Sequence, residues 1–256
     1  MPFFTKAQNG VYYIPSAKQA DSVRKALSRT NNDTLKMSAY YYLSSYYTEL
    51  NKDSAEYYGD LQLSMAKKLN QKLWAADACF QAGYITYGLG NYPKSLNRIT
   101  EGLEITDDQG SEKNNWHVNV FSGDGSPHRA RLFIAASLHQ IFSYLYSNAG
   151  DSRKSLAELL TAVKIAESAD NKEELSLDYM SLGNYYLNKS DSVLFFENKA
   201  LKYAYQSNYK IYIGAIYTTI GDVYFAKKDY ATADKYYHKS VAASISQDNL
   251  KDEIDA

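Results

Sequence analysis

Residues 220–225 (IGDVYF), with the Asp229-Tyr230 pair that follows them, repeat a sequence motif found twice earlier in the chain. Residues 82–92 (AGYITYGLGNY) and residues 182–186 (LGNYY) combine glycine, tyrosine and apolar residues in a similar order. Self-similarity over tens of residues indicates a repeat architecture, in which each unit buries its apolar face against its neighbours. Because such arrays offer an extended surface to another chain, the repeated motif predicts a binding function rather than a catalytic one.

Five units follow from the spacing of the copies. The residues equivalent to the glycine are Leu43, Gly83, Ser143, Gly183 and Gly221, which lie 40, 60, 40 and 38 residues apart. The markers in the other half of each unit are Leu63, Leu103, Val163, Leu201 and Val241, which lie 40, 60, 38 and 40 residues apart. The two series predict about 20 inserted residues between Thr106 and Ser143, and two missing residues between Gly183 and Ala204.

Each half-unit has helical periodicity. In the last unit Ile220, Val223 and Tyr224 recur at steps that place them on one stripe of a helix. Turn-forming residues separate the halves at 51–54, 90–93, 150–152 and 228–229. Glycine ends one helix there and Asp, Asn or Ser caps the next, so the unit is a helix hairpin. Asp33 is expected to cap the first repeat helix, and residues 17–28 predict a preceding helix that covers the end of the array.

The order of the markers resembles the tetratricopeptide repeat, which has Leu-Gly in its first helix, a tyrosine three residues later and small residues in its second helix. Residues 220–241 match best, with Gly221, Tyr224 and Ala233 on the pattern. The resemblance covers about residues 36–250. It implies an all-α fold, an α-α superhelix of about five helix hairpins plus an N-terminal helix. HEAT-type repeats have a similar period, but they would not account for the Gly-Asn/Asp-Tyr turns.

The resemblance also predicts the organisation of the chain. Residues 1–32 are expected to be a tail and a capping helix, and residues 33–256 the array. The expected units lie near 36–71, 76–106, 136–171, 176–208 and 214–248, with an insertion at about 107–128. A period near 40 instead of 34 predicts longer helices or longer connections. Tyrosine-rich units of this length resemble the sensory regions found ahead of histidine kinases, cyclases or helix-turn-helix regulators in the Bacteroidetes.

An aromatic groove is expected from the same resemblance, because the first helices of tetratricopeptide units line a concave surface. The positions carried over by register are Tyr40, Ser44, Tyr47, Phe80, Tyr84, Tyr87, Gln140, Tyr144, Met180, Asn184, Asp222 and Phe225. Their rings and hydroxyl groups would grip an extended peptide; the alternative is that many of the rings only pack adjacent helices. The chain lacks lysine at the first position of the family's lysine-asparagine clamp, which argues against an adaptor for carboxyl-terminal peptides.

The insertion at about 107–128 is the least repetitive segment, and long loops in compact folds are often functional. Its expected contact residues are Trp116, His117, Phe121, His128 and Arg129. Residues 122–127 (SGDGSP) form a turn that closes either a short β-hairpin or a polar loop. A disordered connector is the alternative to a binding role.

Charge and cysteine content exclude several classes of protein. Twenty-eight basic and 29 acidic residues give a formal net charge of −1, so no bulk field attracts nucleic acid or an anionic membrane. Cys79 is the only cysteine, which excludes an intrachain disulfide and a cysteine-based zinc site, and its neighbours predict a core residue. No run approaches the ~20 apolar residues that span a bilayer, so we expect no membrane insertion by this segment.

Neither catalysis nor metal binding has support in the spacing of polar residues. His117, His128 and His139 are each 11 residues apart, not at the i, i+4 step that puts two ligands on one helix face. The chain contains no Gly-x-Ser-x-Gly motif and no phosphate-binding loop. We therefore predict no catalytic residue, no metal and no cofactor.

The sequence favours a non-enzymatic protein- or peptide-binding module, such as the sensory or interaction region of a bacterial signalling protein. The alternative is a structural scaffold or homodimerisation domain that uses the array ends or the convex face. An excised sensor domain would be periplasmic, and a free-standing adaptor cytoplasmic.

Overall fold

The computed structural model describes residues 15–207 and 212–255, with side chains described up to residue 246. Within these ranges the protein contains twelve α-helices, one short 3-10 helix and no strand. The chain divides into two compact units between Glu158 and Leu159. The all-α fold expected from the repeated sequence motif is confirmed.

Unit 1 holds the N-terminal helix, the first repeats and the insertion. Its helices are α1 (Ala17–Leu27), α2 (Asp33–Tyr47), α3 (Lys52–Lys68), α4 (Lys72–Gly88), α5 (Tyr92–Asp107), the 3-10 helix (Gln109–Glu112), α6 (Asn119–Ser122), α7 (Pro127–Asn148) and the first part of α8 (Ser152–Ser168). Unit 2 holds the rest of α8, then α9 (Lys172–Tyr185), α10 (Ser190–Gln206), α11 (Ile213–Ala226) and α12 (Tyr230–Asp255).

Five helix hairpins follow α1, as the repeat count predicts. Helices α2 and α3, α4 and α5, α9 and α10, and α11 and α12 pack in pairs. In the remaining pair, α7 meets the start of α8 through the Ser143 and Ser155 hydroxyls, whose oxygens lie 3.1 Å apart.

Longer helices account for the period of about 40 residues. Helices α2 to α5 contain 15, 17, 17 and 16 residues, and their connections are short. The turns have the expected chemistry: Asn51 Oδ1 accepts from the Ser54 N–H at 2.9 Å, and Gly90 has a φ of 74° after α4.

Glycine at the repeat marker lets the two helices of a hairpin approach closely. A Cβ atom on Gly83 would lie 2.3 Å from Ile99 Cδ1, and one on Gly183 would lie 2.5 Å from Glu197 Oε1. Both distances are far below van der Waals contact. The glycine of the repeated motif therefore lies where the two helices of a hairpin pack together.

The first hairpin departs from the sequence prediction in two details. Asn32, not Asp33, caps α2, because Asn32 Oδ1 accepts from two N–H groups of the first turn at 2.9 and 3.1 Å. The close contact between α2 and α3 is made by Ser44, whose Oγ donates to the Ala55 carbonyl oxygen at 2.9 Å. The register of this hairpin is therefore shifted by one residue from Leu43, because a small hydroxyl side chain takes the place of the glycine.

The insertion folds back onto unit 1. Residues 107–128 contain the 3-10 helix and α6 but no strand, so a β-hairpin there is wrong. Gly123 and Gly125, with φ of 72° and 76°, form the turn into α7. Val118 and Val120 are buried, which makes the segment part of the core of unit 1.

Candidate binding surface

Tyrosines from α4, α5 and α7 form one surface of unit 1. The ring centroids of Tyr87 and Tyr144 lie 5.8 Å apart, and those of Tyr87 and Tyr92 lie 5.6 Å apart. Tyr84 is on the adjacent turn of α4 and is 40% exposed. These four residues are called the tyrosine surface below; three of them are groove residues predicted from the sequence.

Asn148, at the end of α7, joins three of these four tyrosines to one another. Its Nδ2 donates to the Tyr87 hydroxyl and also to the Tyr144 carbonyl oxygen, the latter at 3.1 Å. Its Oδ1 accepts from the Tyr92 hydroxyl at 3.4 Å. One amide therefore links residues from three helices.

Both phenols of α4 stay protonated at neutral pH. Burial raises the pKa of Tyr84, and the nearby charge of Glu49 and a hydrogen bond to it raise this pKa further. Burial also raises the pKa of Tyr87, while the hydrogen bond from Asn148 opposes the change. The hydroxyl groups can thus donate as well as accept hydrogen bonds, and the rings supply apolar area.

Three predicted groove residues lie in the core. Ser44, Phe80 and Gln140 are 0, 3 and 3% exposed, so their side chains contact other parts of the protein and have no area to offer a partner. Ser44 is buried because it makes the close contact between α2 and α3.

Tyr40 and Tyr47 turn toward α3. Their ring centroids lie 6.4 and 5.8 Å from that of Tyr58, with stacked geometry in both pairs. Arg24 of α1 donates to the Tyr47 hydroxyl at 2.7 Å. A one-residue shift rotates a helix position by about 100°, which explains why these rings pack within the first hairpin.

The predicted residues of unit 2 differ in exposure. Met180 is partly buried, whereas Asn184, Asp222 and Phe225 are exposed. Asp222 Oδ1 accepts from the Tyr237 hydroxyl at 2.8 Å, which joins α11 to α12. Phe225 is 57% exposed and is the main apolar group of this set.

Trp116 and Phe121 of the insertion pack against α4. The Trp74 Nε1 donates to the Trp116 carbonyl oxygen at 2.6 Å, and the Trp74 and Phe121 rings lie 5.0 Å apart. Phe121 is fully buried. The prediction that Phe121 contacts a partner is therefore wrong, because its ring packs in the core beside Trp74.

Asn115 of the insertion caps α4. Gln71, at the N-cap position, makes no side-chain cap bond. Asn115 Oδ1 accepts from the Leu73 N–H at 3.1 Å instead. The Gln71 side chain binds the insertion, because its Oε1 accepts from the Trp116 N–H at 2.6 Å and its Nε2 donates to the Asn114 carbonyl oxygen at 3.2 Å.

Polar contacts at the edge of the insertion join it to the start of α7. Exposed His128 has its Nδ1 2.9 Å from Glu112 Oε1, and Arg129 Nη1 lies 2.7 Å from Asp124 Oδ2. His117 is exposed, with a left-handed φ of 45°. Of the five residues predicted for contact, the two at the start of α7 thus help to fasten the insertion.

Two titratable groups of unit 1 lie in the core. Burial raises the pKa of the Cys79 thiol to about 12, so the thiol is not a nucleophile at neutral pH. Burial raises the pKa of Asp77 to about 7, although Gln62 and Gln81 donate to its Oδ2 at 2.9 and 2.8 Å. Among the residues that the structure describes, no three His, Cys, Asp or Glu side chains are grouped to hold a metal ion.

Comparisons with known proteins match the fold and not the sequence. No protein-family model and no curated protein matches this chain. BtubC from P. vanneervenii is similar in structure, with 12% identity, a TM-score of 0.60, and coverage of 91% of this chain and 89% of BtubC. A Rap protein complexed with Competence and Sporulation Factor has 11% identity and a TM-score of 0.63, with coverage of 93% and 70%. Apo RapI has 13% identity and a TM-score of 0.57; the match covers 90% of this chain and 59% of RapI.

These structures are helical-repeat proteins of the tetratricopeptide type. The chain has a tetratricopeptide-repeat-like fold. At such low identities the likeness concerns the fold alone. Across the described part of this tetratricopeptide-like chain, no helix has the length and apolar character needed to cross a membrane.

Sequence reasoning missed Asn148 and Asn115 and marked Tyr92 only as a turn residue. Tyr92 could have been found, since it follows the turn after the helix that carries Tyr87. No local signal indicates that Asn148 binds a hydroxyl 61 residues earlier in the chain, because that contact depends on how neighbouring repeats pack.

Proposed function

We propose that this tetratricopeptide-like chain is a non-enzymatic protein- or peptide-binding module whose partner binds the tyrosine surface of unit 1. The observation that supports it is the meeting of Tyr87 and Tyr144, from neighbouring repeats, at 5.8 Å beside the exposed ring of Tyr84. Tyrosine gives large contact area with little loss of conformational entropy, and its hydroxyl binds backbone groups. Such a surface suits an extended segment of another chain.

We propose further that the module is the sensory or interaction region of a bacterial signalling protein. A Rap protein of similar fold has been crystallised with Competence and Sporulation Factor. That complex supports a role in which binding of a signal is the event that the module reports. Cys79 is buried and the pKa of its thiol is raised, so the single cysteine is not a candidate nucleophile.

The test uses peptides selected on the protein itself. A phage-displayed library of 12-residue peptides is panned on the immobilised full chain, and fluorescein-labelled copies of the enriched peptides are titrated by anisotropy. We expect the double variant Tyr84→Ala, Tyr144→Ala to bind at least tenfold more weakly. Tyr57→Ala is the matched control, because Tyr57 is a 61% exposed tyrosine of α3 outside the tyrosine surface. Equal binding by the double variant, with an unchanged circular dichroism spectrum, would reject the site.

A second candidate function, homodimerisation, is favoured by the exposed face of α12. Val241 and Ile245 lie one turn apart and are 58 and 55% exposed. Light scattering across a hundredfold concentration range tests this role, with Val241→Glu, Ile245→Glu as the variant. A dimer that the variant abolishes supports dimerisation through α12, and a monomer at every concentration rejects it.

A further inference from the structure

One face of α10 in unit 2 combines an exposed ring with two lysines. Phe195, Lys199 and Lys202 are spaced by four and three residues, which places them on one stripe of the helix. Phe195 is 55% exposed. These three residues are called the α10 stripe. It lies outside the tyrosine surface, and the inference drawn from it does not depend on the proposed function.

Aromatic rings hold the lysines of this hairpin in place. Lys199 Nζ lies 4.7 Å from the ring centroid of Tyr179 and 5.0 Å from that of Phe195. Lys202 Nζ lies 5.7 Å from the ring centroid of Tyr203. A ring face attracts an ammonium group without neutralising it, so the charge stays available to a partner.

Beneath the lysines the rings form a ladder. Tyr203 stacks on Tyr179 at 5.6 Å with an interplanar angle of 4°, and Tyr179 stacks on Phe196 at 6.3 Å and 19°. Phe196 then stacks on Tyr186 at 5.4 Å and 14°. The ladder joins α9 to α10 and gives the lysines a rigid base, which lowers the entropy cost of binding.

The acidic residues of the hairpin leave this face basic. Asp191 pairs with Lys227 at 3.0 Å, and the other acidic residues of α9 and α10 are buried: Glu173, Glu174, Asp178 and Glu197. In the part of unit 2 that the structure describes, neither Lys199 nor Lys202 forms an ion pair. The charge of Lys199 is linked to a carboxylate only through a hydroxyl group. Lys199 donates to the Tyr179 hydroxyl at 3.4 Å, and that hydroxyl donates to Glu167 at 3.1 Å.

The corresponding face of α5 shows that the repeat does not require this charge. By the spacing of the second marker, Glu101 and Glu104 stand where α10 has Lys199 and Lys202. Glu101 pairs with Lys67 and Arg98, so opposite charges meet on that face. The repeat therefore does not impose the charge of the α10 stripe, although a lysine over stacked rings recurs in α12, where Lys239 Nζ lies 5.5 Å from the ring centroid of Tyr217 and 4.8 Å from that of Tyr236.

We infer that the α10 stripe docks an acidic segment of a partner protein. Asp or Glu carboxylates of that segment pair with Lys199 and Lys202, and an apolar side chain beside them covers Phe195. Complementary charge speeds the encounter and sets the register, while the exposed ring supplies apolar area.

The ring geometry favours a protein partner over a single-stranded nucleic acid. Base stacking needs open ring faces. Tyr179 lies between Tyr203 and Phe196, and Phe196 lies between Tyr179 and Tyr186. These faces are occupied within the fold, so Phe195 is the one open ring of the α10 stripe, and a single ring does not stack the successive bases of a strand.

The experiment uses the full chain and a fluorescein-labelled 12-residue peptide of repeated Glu-Glu-Leu, with a Gln-Gln-Leu peptide as its neutral counterpart. We expect anisotropy to show binding of the acidic peptide only, with affinity reduced at least fivefold between 50 and 300 mM NaCl. Lys199→Gln, Lys202→Gln should weaken it at least fivefold, and Lys199→Arg, Lys202→Arg should retain it. Phe195→Ala should weaken binding equally at both salt concentrations.

Lys25→Gln, Lys235→Gln is the matched control, because both lysines are exposed and the change in net charge is the same. It should leave the affinity within twofold of the wild type. The inference is overturned if the control weakens binding as much as the stripe variant, if the neutral peptide binds equally well, or if a 12-nucleotide oligothymidine displaces the acidic peptide more effectively than unlabelled peptide does. Lys202→Gln alone, on an exposed side chain, repeats the test should the double variant fail to fold.

Discussion

Asn115 Oδ1 lies 3.1 Å from the backbone nitrogen of Leu73, although 42 residues separate them in the chain. The helix α4 therefore begins under a cap that the insertion supplies, and α4 carries Tyr84 and Tyr87 of the tyrosine surface. The insertion therefore supports the candidate site through the start of this helix.

The first prediction concerns this cap. Asn115→Ala should lower the free energy of unfolding of unit 1 by about 1–2 kcal/mol, because it removes the cap of α4 and the bond from Asn115 Nδ2 to the Ser111 carbonyl oxygen. Chemical denaturation measures the change. Asn188→Ala, in an exposed turn of unit 2, is the control and should stay within about 0.5 kcal/mol of the wild type. An equal effect of the two substitutions would contradict the capping role.

The second prediction separates two glycines of α4. Gly83→Ala should destabilise the protein by about 1–3 kcal/mol, because the new Cβ would lie 2.3 Å from Ile99 Cδ1 in the packed contact with α5. Gly88→Ala should be nearly neutral or stabilising, since the new methyl group meets only the mobile end of Lys52. Thermal unfolding of both variants checks the difference, and the reverse order of stability would refute the packing argument.

The third prediction is a pH dependence. Burial raises the pKa of Glu197 from 4.5 to about 8, so the folded protein keeps a proton that the unfolded chain releases above about pH 4.5. The folded state then binds more protons than the unfolded state, and this group lowers stability as pH rises from about 5 to 8. Glu173 and Asp77, whose pKa values burial raises to about 8 and about 7, contribute with the same sign.

Glu197→Gln should therefore reduce the slope of the unfolding free energy between pH 5 and 8, by up to about 1.4 kcal/mol per pH unit. Urea denaturation at several pH values measures the slope. Glu104→Gln, on the exposed face of α5, is the control for the loss of one carboxylate. An identical slope for wild type and Glu197→Gln would show that Glu197 is ionised in the folded protein.

The fourth prediction concerns the single thiol. Cys79 is buried and its pKa is raised to about 12, so Ellman's reagent should not label the native protein at pH 8 on a timescale of minutes. In urea the thiol should react at once, because unfolding exposes it. Fast labelling without denaturant, at a rate independent of unfolding, would show that α4 opens in the native state.

Much of the fold could be predicted because its signals are local. Steps of three and four residues define each helix, and glycine at the marker sets the close contact of Gly83 with Ile99. The first hairpin could not be placed to the residue, since Leu43 and the small Ser44 are adjacent and only packing shows that Ser44 meets Ala55. The burial of the predicted groove residues Ser44, Phe80 and Gln140 likewise depends on the packing of neighbouring helices and not on local sequence.

The sequence by itself determined an all-α array of helix hairpins, because helical steps and turn residues are patterns of residues a few positions apart. It predicted the insertion and the tyrosines of α4 and α7 from the spacing and register of the repeat markers. The tertiary structure alone decided that Asn115 caps α4, that Phe121 is buried and that Asn148 ties Tyr87 to Tyr144. Those contacts join residues that are distant in sequence, and only the packing of neighbouring repeats brings them together.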